Sequence, residues 1–146
     1  DGYVGSGARV LLPQMLSIHA EVLLQAERLE PSREVLERAT AMIEQTDERV
    51  YQAEVLRLWG ELELAAGDEG AAEAHFDQAL TVAQSQEGKA LSLRIHVSLA
   101  RLRARQGRHQ EIPALLESYG RISEPETADL AEARRLLGEA EARLTA

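Results

Sequence analysis

Along most of the chain, apolar side chains return every three or four residues, the period of a helix with one buried face. From Leu11, the series Leu12, Met15, Leu16, His19, Val22, Leu23 and Ala26 predicts a first helix with Pro13 in its opening turn. Val35, Leu36, Ala39, Met42 and Ile43 mark the inner stripe of a second, opened by Glu30 or Ser32 with Pro31 beside them. A third, about 48–66, presents Val50, Val55, Leu56, Trp59, Leu62 and Leu64, and it stops at Gly67, where a left-handed residue would end it. Asp68 is placed to cap a fourth, whose packing side is Ala71, Ala72, Phe76, Ala79, Leu80 and Ala83. A fifth, about 89–106, carries Leu91, Leu93, Ile95, Leu99 and Leu102 and ends at Gly107, and a sixth covers about 110–119. Ser123 and Glu126 have capping-box spacing, with Pro125 between them, ahead of a last helix over about 126–144. Its inner residues are Leu130, Ala133, Leu136, Leu137, Ala140 and Leu144. The opening DGYVGSG is rich in glycine and reads as a frayed end.

A shift of about 40 residues superposes these elements. It aligns Ala20, Gly60 and Ala100; Glu27, Gly67 and Gly107; and Leu36, Phe76 and Leu116. Small residues at 20, 60 and 100 fit the point where the two helices of a hairpin cross closely. The expected architecture is therefore all-α, a helical-hairpin solenoid with repeats at about 11–46, 48–86 and 88–120 and a C-terminal capping helix. Residues 1–146 are expected to form one domain, a piece of a larger protein. A period near 40 alone suggests HEAT-type repeats, whereas Gly67 followed by Ala72-x3-Phe76-x2-Ala79 follows the tetratricopeptide pattern, and the motif decides. Glu63 in place of the consensus aromatic, Glu27 in place of the turn glycine, and Gln84 in place of the usual proline are departures.

Three segments carry a wider resemblance: ERVYQAEVLRLWGELELAAG (Glu48 to Gly67), AEAHFDQALTVAQSQ and SLARLRARQGR. Over about Ala8 to Leu137 the chain resembles the long-helix tetratricopeptide domain at the C-terminal end of large bacterial proteins. Those proteins are related to adenylate/guanylate cyclases and to ATP-dependent LuxR-type or STAND regulators. The resemblance implies a sensor or regulatory scaffold beside a nucleotide-consuming module. None of the cyclase or ATPase motifs is present, so it transfers no catalytic residue.

Composition narrows the chemistry. The chain has no cysteine, so disulfides and thiolate metal sites are ruled out. A net charge of -9 argues against nucleic acid and anionic membranes as partners, and the lack of cysteine is compatible with a reducing cytosol, so a cytoplasmic location is expected. Charge is uneven: residues 88–110 carry six basic side chains and no acidic one, whereas the residues before and after them are acidic. His19, His75, His96 and His109 include no pair at the i,i+4 spacing of a helical zinc site, and His19 shares its repeat position with Trp59 and Leu99, which suits a core or groove histidine. Glu61 with Glu63 and Glu69 with Glu73 are the helical carboxylate pairs of a solvated face rather than an acid–base dyad. No metal, cofactor or catalytic residue is expected, and enzyme is the weaker reading.

The expected role is a scaffold that binds a protein or peptide, the alternative being a sensor for a small-molecule effector attached to an ATPase or cyclase. Arg94, Arg101 and Arg105 recur at seven- and four-residue steps on one helix side, and the repeat alignment groups them with Arg57 and Glu61 as a candidate partner groove. Such arginines suit an acidic partner, or they pair with carboxylates such as Glu61 within the chain. Trp59 either fills core or lines that groove. Leu11, Leu12, Met15 and Ile18 predict an exposed apolar N-terminal end, covered in a larger protein or open to self-association.

Overall fold

The structure, a computed structural model, describes residues 6–46, 49–121 and 127–145, without the side chains of 6–11 and 121. Its elements are all helical: α1 (Ser6–Gln25), α2 (Leu29–Thr46), α3 (Gln52–Ala65), α4 (Glu69–Ser85), α5 (Lys89–Arg105), α6 (Ile112–Leu116) and α7 (Ala128–Thr145). A 3-10 turn, His109–Glu111, leads into α6, and another, Tyr119–Arg121, follows it. The chain forms two compact units, Asp1–Val82 and Ala83–Ala146.

In the first unit α1 and α2 form a hairpin on which α3 packs. Leu16, Ala20 and Leu23 meet Val35, Leu36, Ala39 and Ile43, and Val55, Leu58 and Leu62 complete that core. Ser32 is buried and its hydroxyl donates to the Ala20 carbonyl at 2.9 Å. It therefore ties α2 to α1 and does not cap α2 as the sequence suggested; the first turn of α2 starts from the Arg28 carbonyl. The second hairpin closes where Gly60 of α3 faces Phe76 of α4. A Cβ built on Gly60 would sit 2.5 Å from the Phe76 ring. In the second unit Leu93, Val97 and Ala100 of α5 pack with Ile112 and Leu116 of α6, and with Leu130, Ala133, Leu136 and Ala140 of α7.

Four helices end in the same way. At Glu27, Gly67, Glu87 and Gly107 φ is +60°, +93°, +56° and +73°. Each left-handed residue donates to the carbonyl three residues back, and the next residue donates to the carbonyl five back, as in Arg28 to Leu23 and Asp68 to Glu63, both 2.8 Å. This is the Schellman closure. Glu27 thus takes the turn conformation despite lacking glycine's freedom, and Glu87 repeats it at a position the periodicity did not single out.

Several expectations need correction. α1 starts at Ser6, not Leu11, so Pro13 sits inside the helix, where it cannot donate to the carbonyl four residues earlier. His19, Val22 and Ala26 are exposed although their spacing placed them on the buried face, and Pro13, Ser17 and Ala20 are buried, whereas Met15 and Ile18, at 61% and 56%, are exposed as expected of an open apolar end. Val50 and Leu144 lie outside, at 60% and 52% exposed, because Val50 precedes α3 and Leu144 is in the last turn of α7. The sixth helix is one short turn flanked by 3-10 geometry. Thr127 caps α7, its hydroxyl accepting from the Leu130 N–H at 3.1 Å. Ser123, Pro125 and Glu126 lie outside the described residues, as do Asp1–Gly5 and Glu48. The Asp68 cap is present: its carboxylate accepts from the Ala71 N–H at 3.0 Å.

Candidate functional site

The sequence-selected residues fall in both units: Arg57 and Glu61 in the first, Arg94, Arg101 and Arg105 in the second. Arg57 is the most buried charge described, at 4% exposure. Its Nε donates to Glu54 at 2.7 Å and its Nη2 to Glu21 of α1 at 2.9 Å, with Glu61 at 3.6 Å. Burial alone would lower its pKa, but the Glu54 hydrogen bond and the charges of Glu54, Glu61 and Glu21 outweigh it and hold the guanidinium protonated. Three carboxylates around one guanidinium form an internal clamp between α1 and α3.

The arginines of α5 are more open. Arg94 reaches Asp129 and Arg101 reaches Glu132, both at 3.2 Å on α7, with side chains 43% and 46% exposed. Glu132 also accepts from Arg135 at 2.7 Å, and Arg135 reaches Glu139 at 2.6 Å. The Arg135 hydrogen bond, outweighing partial burial and joined by Arg101, pulls the Glu132 pKa down to about 2. Arg103 and Arg108 share Glu111. Arg105 is exposed and has no ion pair among the described residues. Arg94, Arg101, Arg103 and Arg108 of the basic segment are thus paired with acids of the same unit, whereas Arg105, on the side of Arg94 and Arg101, is not paired among the described residues.

Trp59 is half-buried. Its Nε1–H donates to Thr40 at 3.0 Å, its ring stacks on His75 at 6.3 Å, and the Arg33 guanidinium lies 6.0 Å from the ring centre. Glu63, which stands where the repeat pattern has an aromatic, accepts or shares a proton with His75 at 2.8 Å. The polar pair ties α3 to α4 at that place. His96 meets the Tyr119 hydroxyl at 2.8 Å; burial lowers its pKa and raises that of Tyr119. A depression lined by Thr40, Glu44, Arg49, Gln52 and Val55 encloses about 60 Å³. Small-molecule sites usually hold several hundred, about 300–1,000 Å³. Among the described residues no three His, Asp or Glu side chains are grouped to hold a metal ion, and no helix is long and apolar enough to cross a membrane.

A small residue at each crossing and a left-handed residue at each tight turn, recurring at a shift of about 40 residues, are the marks of a helical repeat. The description of the tetratricopeptide repeat matches residues 11–85, just over half of the chain. The chain belongs to the tetratricopeptide-repeat family. No curated protein and no solved structure gave a match. As a tetratricopeptide-repeat protein it has the all-α hairpin architecture of scaffolds that commonly bind proteins or peptides and are typically non-catalytic.

Sequence reasoning found Arg57 but not two of its three partners. Glu54 was legible, three residues earlier on the same helix. Glu21 was legible only through the repeat, since it shares Glu61's position at a shift of 40. Asp129 and Glu132 had no signal, because pairing between α5 and α7 depends on how the terminal helix docks.

Proposed function

We propose that the chain is a non-catalytic scaffold that captures an acidic protein or peptide segment on the arginine row of α5, as a regulatory module of a bacterial signalling protein. The observation that carries this reading is Arg105. It is an exposed guanidinium without an ion pair among the described residues, in line with Arg101 and Arg94. The ion pairs of Arg94 and Arg101 are partly exposed, and exposed pairs contribute only about 0–1 kcal/mol, so an incoming carboxylate can compete for these arginines. Arginine's planar fork binds carboxylates with two parallel hydrogen bonds, which gives orientation as well as attraction. The signalling role draws on the resemblance of the Glu48–Gly67 segment and its neighbours to domains attached to cyclases and ATPases.

The test is a titration of the chain with fluorescent acidic, neutral and basic peptides of equal length at two salt concentrations, beside a thermal-shift screen with metabolites. The scaffold reading expects saturable binding of the acidic peptide, weaker at higher salt. A metabolite that raises the melting temperature while all three peptides fail to bind would favour a small-molecule sensor instead.

A further inference from the structure

α7 reaches the arginine row of α5 with two carboxylates three residues apart. Asp129 accepts from Arg94 and Glu132 from Arg101, both at 3.2 Å, whereas Arg105, the next arginine on that side, has no ion pair among the described residues. The row is therefore occupied at two positions and open at the third.

These two carboxylates are not what docks α7. Leu130, Ala133, Leu136 and Ala140 are buried with α5 and α6, and the Thr127 hydroxyl caps the helix. Asp129 and Glu132 are thus fixed in front of Arg94 and Arg101 by apolar packing, and a carboxylate so held competes with any free one at high effective concentration. Each contact is weak all the same. The two arginine side chains are 43% and 46% exposed, and Glu132 is shared between Arg101 at 3.2 Å and Arg135 at 2.7 Å. Pairs this open to water contribute little, so the acids can be displaced without undocking the helix that carries them.

Deepening the acidic-partner reading, on which it rests, we infer that Asp129 and Glu132 of α7 are a built-in competitor that holds Arg94 and Arg101 back from an acidic partner while Arg105 stays open. A partner's first carboxylate meets Arg105. Further carboxylates bind only by displacing Glu132 from Arg101 and Asp129 from Arg94. Affinity is then graded by the number of acids a partner brings, since a single carboxylate engages one arginine and a run of them engages three. Arg135 assists the exchange, because it keeps a hold on Glu132 when Arg101 lets it go.

The experiment titrates the full chain with hexaglutamate at low salt. It compares the parent, Asp129→Asn with Glu132→Gln, and a control, Glu117→Gln with Glu141→Gln, which removes the same charge from exposed acids of the same unit. Arginine labelling by phenylglyoxal, read by mass spectrometry, reports on the row with no peptide present. The competitor variant is expected to bind about three- to tenfold more tightly than the parent, and the control by less than about twofold. Glu132→Gln alone should give a smaller rise in the same direction. Arg94 and Arg101 should label more slowly than Arg105 in the parent and as fast as Arg105 in the competitor variant. Parent binding that the variant does not tighten, or tightening that the control matches, overturns the inference and leaves the acidic-partner reading standing. Equal labelling of all three arginines in the parent overturns it as well. If labelling behaves as expected and no chain binds hexaglutamate, the shielding by α7 is upheld and the acidic-partner reading is what fails.

Discussion

Arg57 of α3 donates to Glu21 of α1 at 2.9 Å across 36 residues of sequence, and the same guanidinium holds Glu54 at 2.7 Å. Arg57 is enclosed, whereas the Glu21 side chain is 41% exposed. The consequences of removing each partner are therefore unequal. Arg57→Ala removes the buried guanidinium that Glu54, Glu61 and Glu21 share and should cost about 3 kcal/mol. Glu21→Gln leaves the arginine with two carboxylates and should cost less than about 1 kcal/mol. Urea unfolding of both variants checks this, and equal losses would mean that the clamp is not organised around Arg57.

Gly60 and Phe76 are a matched pair. Ala20 and Ala100 hold the same register as Gly60, opposite Leu36 and Leu116, whereas Phe76 fills the space a Cβ at position 60 needs. Gly60→Ala should therefore destabilise by about 1–3 kcal/mol even though Ala is the better helix former. Gly60→Leu should cost more. Adding Phe76→Leu to Gly60→Ala recreates the arrangement of the other two hairpins and should recover part of the loss, read as a rise in melting temperature over the single variant.

Glu27 and Glu87 hold left-handed turns at φ +60° and +56°. A side chain in that region is strained where glycine is not, so Glu27→Gly and Glu87→Gly should each stabilise the chain by about 0.5–1 kcal/mol. The reverse changes, Gly67→Ala and Gly107→Ala, should lose about 1 kcal/mol each, although nothing lies within 4 Å of the added Cβ. Calorimetry of the four variants decides the matter. Destabilisation by Glu27→Gly would show that its side chain matters more than its backbone.

Glu132 titrates near pH 2 in the folded chain against an ordinary 4.5. A carboxylate with a depressed pKa contributes stability that is complete above about pH 4.5 and lost as the pH falls toward 2. Since Glu132, Arg101 and Arg135 are partly open to solvent, solvent screening keeps the contribution below about 1 kcal/mol. Glu132→Gln should flatten the acid limb of the stability curve between pH 4.5 and 2 and leave its slope between pH 6 and 8 unchanged. An unaltered acid limb would remove Glu132 from the network that links α5 to α7.

The number and type of the long helices were readable from period and punctuation, because Gly67 and Gly107 mark turns that only a left-handed residue closes and Asp68 marks the cap that follows. What escaped the sequence depended on partners distant along the chain. Ser32 looks like a cap until Ala20's carbonyl is brought to it. His19 and Val22 look like core because a helix with two apolar faces gives one continuous series of three- and four-residue steps, and only packing separates the covered face from the open one. Among the site residues, the common side of Arg94, Arg101 and Arg105 followed from helical spacing. Their differing states did not, since Asp129 and Glu132 reach the first two from α7 and fall short of the third.

The most direct test of the scaffold reading is the affinity of an acidic peptide for the chain bearing Arg101→Glu with Arg105→Glu. The account predicts that binding falls at least tenfold while the helical signal and melting temperature remain those of the parent chain, because both arginines are exposed, the Arg101–Glu132 pair is partly open to solvent, and Arg105 has no ion pair among the described residues. Undiminished binding by the double variant would contradict it, and so would unfolding, which would make these arginines part of the structure's support rather than its contact with a partner.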